Sequence, residues 1–347
     1  MIYSSNSLVK KPVISICVTT YNQEKYLKDT LDSILSQKID VLYEIIISDD
    51  CSLDNTKNVC LDYQKKYPDK ILFNSNEKNV GLIKNLFNIL LSISRGEYIA
   101  LCAGDDIWID ENKLKKQLEI LKNNSAISIV HTGYNKYYEL NNRIVPISHW
   151  NSPLLTVCGE RAISHVVLEH FSSFPCASSI MFRKSTIINN TNKYPVLIDE
   201  KNAAGEGMIL FTFAALEGVF AFIPDIMVNY RVREQSLCHY KDKNLELIFN
   251  FKYRIIQKTI VVKTILNDIN LVKKVNKKLL VIFYESIITK CVSTFMILFK
   301  NYEKENIYNI PSYIRLSIYL FHKNKFTQKI FIFIFNTLSK IKKLLYT

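Results

Sequence analysis

The stretch 13–56 reads VISICVTTYNQEKYLKDTLDSILSQKIDVLYEIIISDDCSLDNT, and two periodicities alternate in it. Val13 to Val18 is a short β-rich run. Glu24 to Leu35 places Tyr26, Leu27, Leu31, Ile34 and Leu35 at helical spacing. Tyr43 to Ser48 is a second apolar run, and Ser52 to Asn55 offers caps for a helix over 55–66. The same alternation continues outward. Strands are expected at 71–73, 97–102 and 127–131, and helices at 82–93 and 113–121. Strands alternating with helices of this length imply β-α-β units and a largely parallel sheet covered on both faces. The fold class is therefore α/β.

In such sheets ligands gather at the carboxyl ends of the strands. Three polar sets fall there: Thr19, Thr20, Tyr21 and Asn22 after the first strand, Asp49 and Asp50 after the second, and Gly104, Asp105 and Asp106 after the fourth. Adjacent carboxylates on a glycine turn suit a hard divalent cation shared with phosphate oxygens. They equally suit an ordinary turn with helix caps. Tyr21 offers a stacking face, and its loop offers hydrogen-bonding groups for a base or ribose.

Composition excludes several alternatives. Glycine is scarce, 8 of 347 residues, and no G-x-G-x-x-G or P-loop can be written, so the glycine-rich nucleotide folds lack their fingerprints. The eight cysteines form no C-x-x-C, which disfavours zinc ribbons and redox motifs and suits free thiols in a reducing cytosol. No apolar signal segment opens the chain. The most apolar long stretch, Val281 to Phe299, contains Glu285 and Lys290, so no spanning helix is expected.

Beyond the five strands, a hairpin is expected over 134–147 around Asn141 and Asn142, a strand over 177–182, a helix over 206–217 stopped by Gly218, and a strand over 219–223. Ser178 and Ser179 are candidates for lining a substrate or simply a strand start. His131 reads as a satisfied core histidine. Trp108, beside the acidic turn, suits stacking on a ligand ring or core packing.

Several of these segments, taken in order, resemble inverting family 2 glycosyltransferases of the GT-A fold, of the bacterial surface-polysaccharide type. The carriers are ISICVTTYNQEKYLKDTLDSILSQ (14–37), YEIIISDDCSLDNT (43–56), NVGLIKN (79–85), RGEYIALCAGDDIW (95–108) and GEGMILFTFAALEGVFAFIPDIMVNYRV (205–232). The resemblance implies a GT-A sheet in a catalytic domain over 1–240. It implies that Thr20, Tyr21 and Asp50, with Asp49 as the other candidate, hold the nucleoside, and Thr19, Asn22 and Asn85 are further substrate-binding candidates. Asp105 would bind Mg²⁺ or Mn²⁺ and through it a diphosphate, Asp106 would contact sugar or ribose, Arg233 would pair with the diphosphate, Glu206 would be the catalytic base, and Arg231 and Trp108 are further substrate-binding candidates. The implied substrates are a nucleotide-diphosphate sugar and a glycan or lipid-linked acceptor. A catalytically silent GT-A module is the alternative.

The chain departs from the family pattern at three places. Ala103 stands where the metal motif usually begins with an acid. Glu206 replaces the usual Asp, and its flanking Gly205 and Gly207 would allow a backbone adjustment. Arg233 stands where a His is often found.

Charge divides the chain again. Residues 1–240 hold 25 basic and 26 acidic side chains, and residues 241–347 hold 20 and 6. The basic part reads as helical, with a stripe of Phe326, Ile330, Ile334, Leu338, Ile341 and Leu345 flanked by lysines. It suits a solvated face, a partner groove, or attachment to an anionic membrane surface. Nucleic acid is disfavoured as a partner because the sheet edge is acidic. The expected location is cytoplasmic, peripheral on the inner face of the membrane.

Overall fold

The structure is a computed structural model that describes residues 2–3, 10–169, 175–233, 242–306, 310–324, 327–329 and 332–333. The chain divides into two compact units, Met1–Arg233 and Glu234–Thr347, so the boundary precedes the expected one at 240.

The first unit is built on one ten-stranded sheet. Its strands are β1 Ile2–Tyr3, β2 Ile14–Thr20, β3 Tyr43–Asp49, β4 Ile71–Ser75, β5 Tyr98–Ala103, β6 Ile107–Trp108, β7 Ile127–Tyr138, β8 Arg143–Ile147, β9 Ile180–Arg183 and β10 Val219–Val232. The order is β1-β4-β3-β2-β5-β9-β7-β10-β6, with β8 hairpinned onto β7. β4, β3, β2 and β5 are mutually parallel. β9 enters antiparallel between β5 and β7, which makes the sheet mixed beyond β5. Ile14, Ile16, Val18, Ile45, Ile47 and Ala100 are fully buried among the helices, as apolar strands covered on both faces must be.

The expected helices over 24–35 and 206–217 form as Glu24–Leu35 and Glu206–Glu217. The helix over 82–93 is wound as a π-helix through Asn85–Leu90. The hairpin turns at Asn142, in the left-handed region (φ 53°). The expected strand over 177–182 begins later, because Ala177–Ser179 is a 3₁₀ turn. Gly218 ends its helix in extended backbone (φ −175°), not in a left-handed cap. It must be glycine for another reason: a Cβ there would meet the carbonyl oxygen of Ala126 at 2.4 Å.

The second unit is helical, as expected, with helices that include Lys243–Phe251, Ile269–Asn276, Lys278–Ile288, Val292–Asn306 and Ser312–Lys323. Its own core gathers Phe251, Phe283, Phe295, Phe299 and Ile314. The apolar stretch 281–299 is broken at Lys290, which is left-handed (φ 61°). No helix among the described residues is long and apolar enough to cross a membrane. Of the expected stripe, Phe326, Ile330, Ile334, Leu338, Ile341 and Leu345 lie outside the described residues.

Candidate functional site

Register brings the three polar sets to one edge. Thr20 of β2 pairs with Asp49 of β3, and Thr19 pairs with Ala103 of β5. The loops that leave β2 and β3 are then cross-bonded. Asn22, left-handed at φ 50°, donates its N–H to Ser52 Oγ and accepts from Leu53 N through Oδ1, both at 2.8 Å. Gln23 N donates to Thr56 Oγ1 at 2.8 Å. Glu24 and Asp54 cap each other's helices, Glu24 N on Asp54 Oδ2 and Asn55 N on Glu24 Oε2. A loop tied by this many bonds is a rigid platform, and Tyr21 stands out from it, 41% exposed.

Asp49 and Asp50 point to different tasks. Asp49 accepts from Ser52 Oγ, and burial raises its pKa against the lowering effect of that bond. Asp50 accepts from Val80 N, Gly81 N and Asn76 Nδ2, each at 2.9 Å. It fixes the segment that opens the helix over 82–93. Glu200 grips the same segment from the other side, accepting Ile83 N at 2.8 Å. Gly81 (φ 87°) makes room for it, since a Cβ there would stand 2.3 Å from Glu200 Oε1. Asn85 is buried and consumed in a network with Ser48 and Asn76. This corrects its expected substrate role: its amide joins β3 to the π-wound turn.

The acidic turn is the best organised part. Gly104 packs so closely that a Cβ would meet Gln23 Oε1 at 2.5 Å and Thr20 Oγ1 at 2.9 Å. Both of those oxygens are buried without a hydrogen-bond partner. β6 follows the turn and pairs antiparallel with β10, Ile107 against Asn229 and Trp108 against Val228. That pairing delivers Arg231 and Arg233 to the carboxylates. Arg231 N donates to Asp106 Oδ1 at 2.9 Å and its Nε to the Asp105 carbonyl at 3.0 Å. Arg233 Nη2 lies 2.6 Å from Asp105 Oδ2. Ser178 Oγ donates to Asp106 Oδ2 and accepts Ala103 N at 2.9 Å.

Burial pushes both Asp105 and Asp106 above the usual carboxylate range. Arg233 and then Gln23 pull Asp105 back, while the neighbouring Asp105 charge raises Asp106 further. Tyr26 lies under both guanidinium groups, 4.7 Å from Arg231 and 5.0 Å from Arg233, a cation–π arrangement. Its hydroxyl donates to Glu139 at 2.8 Å.

Trp108 is 3% exposed, donates Nε1 to the Ser178 carbonyl at 3.0 Å, and carries the buried Lys113 ammonium 4.1 Å over its ring. It is a core residue, which corrects its expected substrate-binding role. Glu206 opens its helix as a partly exposed residue, and burial around its carboxyl raises the pKa. Gly205 is extended (φ −166°), and a Cβ on Gly205 or Gly207 would meet open space. These glycines leave room beside Glu206 and adjust no backbone. The described contacts do not join Glu206 to the acidic turn. His131 is buried against Trp150 and Phe222, but its Nε2 has no partner, so it is a core histidine left unsatisfied.

Gln23, Tyr26, Glu139 and Glu200 were not among the expected site residues. Tyr26 carried only a helical-core signal, and the other three carried no local signal.

Residues 15–187 match the family model described as glycosyl transferase family 2. This domain belongs to glycosyl transferase family 2. Among curated relatives of the family 2 domain, an uncharacterized Mycobacterium tuberculosis protein is 28% identical over 229 residues, 65% of this chain and 60% of that one. TuaG of Bacillus subtilis, named as a teichuronic acid biosynthesis glycosyltransferase, is 36% identical over 124 residues, 36% of this chain and 47% of that one. The chain therefore spans between 47% and 60% of the length of these relatives. Two solved glycosyltransferase structures share the fold. TarS of S. aureus in complex with UDP-GlcNAc has a TM-score of 0.52 and 16% identity, over 84% of this chain and 92% of that one. A Pyrobaculum calidifontis mannosyltransferase in complex with GDP-Man and Mn²⁺ has a TM-score of 0.50 and 13% identity, over 85% and 88%. The fold of the family 2 domain is the expected GT-A sheet.

Proposed function

We propose that this chain transfers a sugar from a nucleotide-diphosphate sugar to a hydroxyl of a glycan or lipid-linked acceptor, with inversion at the anomeric carbon. The observation that carries this reading is the convergence of the Thr20–Asn22 loop, Asp50 and the Asp105–Asp106 turn at one sheet edge, with two arginines delivered by β10. Tyr21 is exposed for a base to stack on. Thr19, Thr20, Asn22 and Asp50, with Asp49 beside it, form the wall of the nucleoside pocket. Arg231 and Arg233 supply donors and positive charge for the leaving diphosphate. Asp106, held by Ser178 and Arg231, keeps the turn in shape and faces the sugar.

The residues fit a divalent cation. Asp105 offers carboxylate oxygen, and the orphaned Thr20 Oγ1 and Gln23 Oε1 stand against the same turn. No group of three or more acidic, His or Cys side chains that could hold a metal occurs among the described residues. That suits Mg²⁺ or Mn²⁺ bound by one carboxylate together with substrate phosphates better than a closed protein cage. When bound, the ion supplies charge neutralisation at the diphosphate.

Glu206 is the base. Burial raises its pKa, which makes it a better proton acceptor than an ordinary glutamate. It takes the acceptor's proton as the hydroxyl oxygen bonds to the anomeric carbon and the bond to the diphosphate oxygen breaks. One in-line displacement needs no covalent nucleophile. Donors named for the structural neighbours are nucleotide sugars, and the name of TuaG supports a role in surface polysaccharide biosynthesis. The basic second unit supports peripheral placement on an anionic membrane, facing the cytoplasm.

The test is a panel of nucleotide sugars with Mn²⁺ or Mg²⁺, read as released nucleoside diphosphate, with Asp105→Asn alongside. One donor turned over, and lost in the variant, is the expected result. Equal background release from every donor by both proteins would leave a silent binding module.

A further inference from the structure

Asp105 already holds a cation of the protein's own. Arg233 Nη2 sits 2.6 Å from Asp105 Oδ2, with only 18% and 10% of the two side chains exposed. The guanidinium is held there by more than its charge. It lies over the Tyr26 ring, and that ring is fixed through its hydroxyl on Glu139, which Lys25 also binds at 2.7 Å. Yet the pairing is incomplete on the arginine side. Arg233 Nε is buried with no acceptor, and a buried unpaired donor is costly. The acid has its counter-charge, whereas the arginine keeps one buried N–H, at Nε, without an acceptor.

We infer that Arg233 is a resident counter-cation that guards Asp105 against metal until an anionic diphosphate arrives. The inference rests on the reading that Asp105 is the cation ligand. The guanidinium already neutralises the Asp105 carboxylate, and a divalent ion brought to the same group meets the repulsion of two cations at short range in a partly buried site. The free protein is therefore a poor metal binder. An incoming diphosphate presents pairs of oxygens that the planar guanidinium fork binds bidentately and satisfies Nε. Arg233 turns to it, and Asp105 becomes available. Donor and cation then bind as a linked pair, each favouring the other. A neutral residue at 233 would leave Asp105 open from the start, so the Arg at this position sets the order of loading.

Mn²⁺ binding to the full chain, read from the loss of the free-ion electron paramagnetic resonance signal, tests this without nucleotide or turnover. Wild type, Arg233→Gln, Arg233→Lys and the double variant Arg233→Gln with Asp105→Asn are compared, with circular dichroism to confirm folding. Arg233→Met, which keeps an aliphatic stem over Tyr26, replaces the Gln variant if that one does not fold. The expected result is binding at least ~10-fold tighter in Arg233→Gln than in wild type, binding near the wild-type level in Arg233→Lys, and loss of the gain in the double variant. Equal affinity in wild type and Arg233→Gln, with binding abolished in the double variant, would overturn the guard and leave the cation site standing. Absence of Mn²⁺ binding in every protein would overturn both.

Discussion

Ser178→Ala is the most exacting perturbation of the acidic turn. The hydroxyl is fully buried and works in both directions, accepting the Ala103 N–H at 2.9 Å and donating to Asp106 Oδ2. Alanine leaves two buried groups without their partner, Asp106 Oδ2 and the Ala103 N–H, at a cost of ~1–3 kcal/mol for each. The two losses share one atom, so they overlap, and ~3 kcal/mol is expected. Both tryptophans, Trp108 and Trp150, lie in the first unit, and Trp108 Nε1 donates to the carbonyl of Ser178 itself. Tryptophan fluorescence during urea unfolding therefore reports that unit and senses the altered position. With a slope of ~3 kcal/mol per molar urea for a unit of this size, the midpoint falls by ~1 M. A midpoint within 0.2 M (about 0.6 kcal/mol on the same slope) of wild type would refute the claim that Ser178 holds the turn.

Two further outcomes follow from other parts of the molecule. Burial depresses the His131 pKa to about 3 from 6.5, so the unfolded chain takes up a proton that the folded chain refuses. This contribution costs nothing above pH 6.5 and grows as pH falls toward 3. By that linkage His131→Phe is expected to remove ~2 kcal/mol of the stability lost between pH 7 and pH 5, measured by urea unfolding at both values; an unchanged pH dependence would contradict it. In the second unit, deletion of 324–347 is expected to weaken flotation with anionic liposomes and leave the little binding to neutral ones unchanged. Equal binding to both vesicle types, indifferent to the deletion, would rule out an electrostatic anchor.

The sheet edge was legible because strands are short-range objects. Apolar runs end where polar residues begin, and parallel pairing aligns those ends. Thus Thr20, Asp49 and Ala103 meet by register alone. The arginines came to the site through β10, which runs through Val232, well past the expected 223, and pairs with the two-residue β6. No local periodicity announces so short a strand. Tyr26 and Glu139 are 113 residues apart, and Glu200 caps a helix 117 residues away; such partners are chosen by tertiary packing. Of the two readings open for Trp108, stacking and core packing, the structure takes the second for a related reason. Proximity to an acidic turn in sequence does not say which way an indole faces, and its N–H found the Ser178 carbonyl inside. Gly218 stops its helix as expected, but what requires glycine there is its close approach to Ala126, a contact with no local signal.

The central claim, that the acidic edge binds an activated donor and Glu206 deprotonates the acceptor, is tested most directly by Glu206→Gln under saturating donor and acceptor. Once the donor panel has identified a substrate pair, the account predicts a fall in kcat of ~10²–10⁴, the range for a lost general base, with donor affinity unchanged. It also predicts that the wild-type rate falls as acidification protonates Glu206, at a pH above the ordinary glutamate range, because burial raises that pKa. A kcat within threefold of wild type, with the same pH profile, would contradict it.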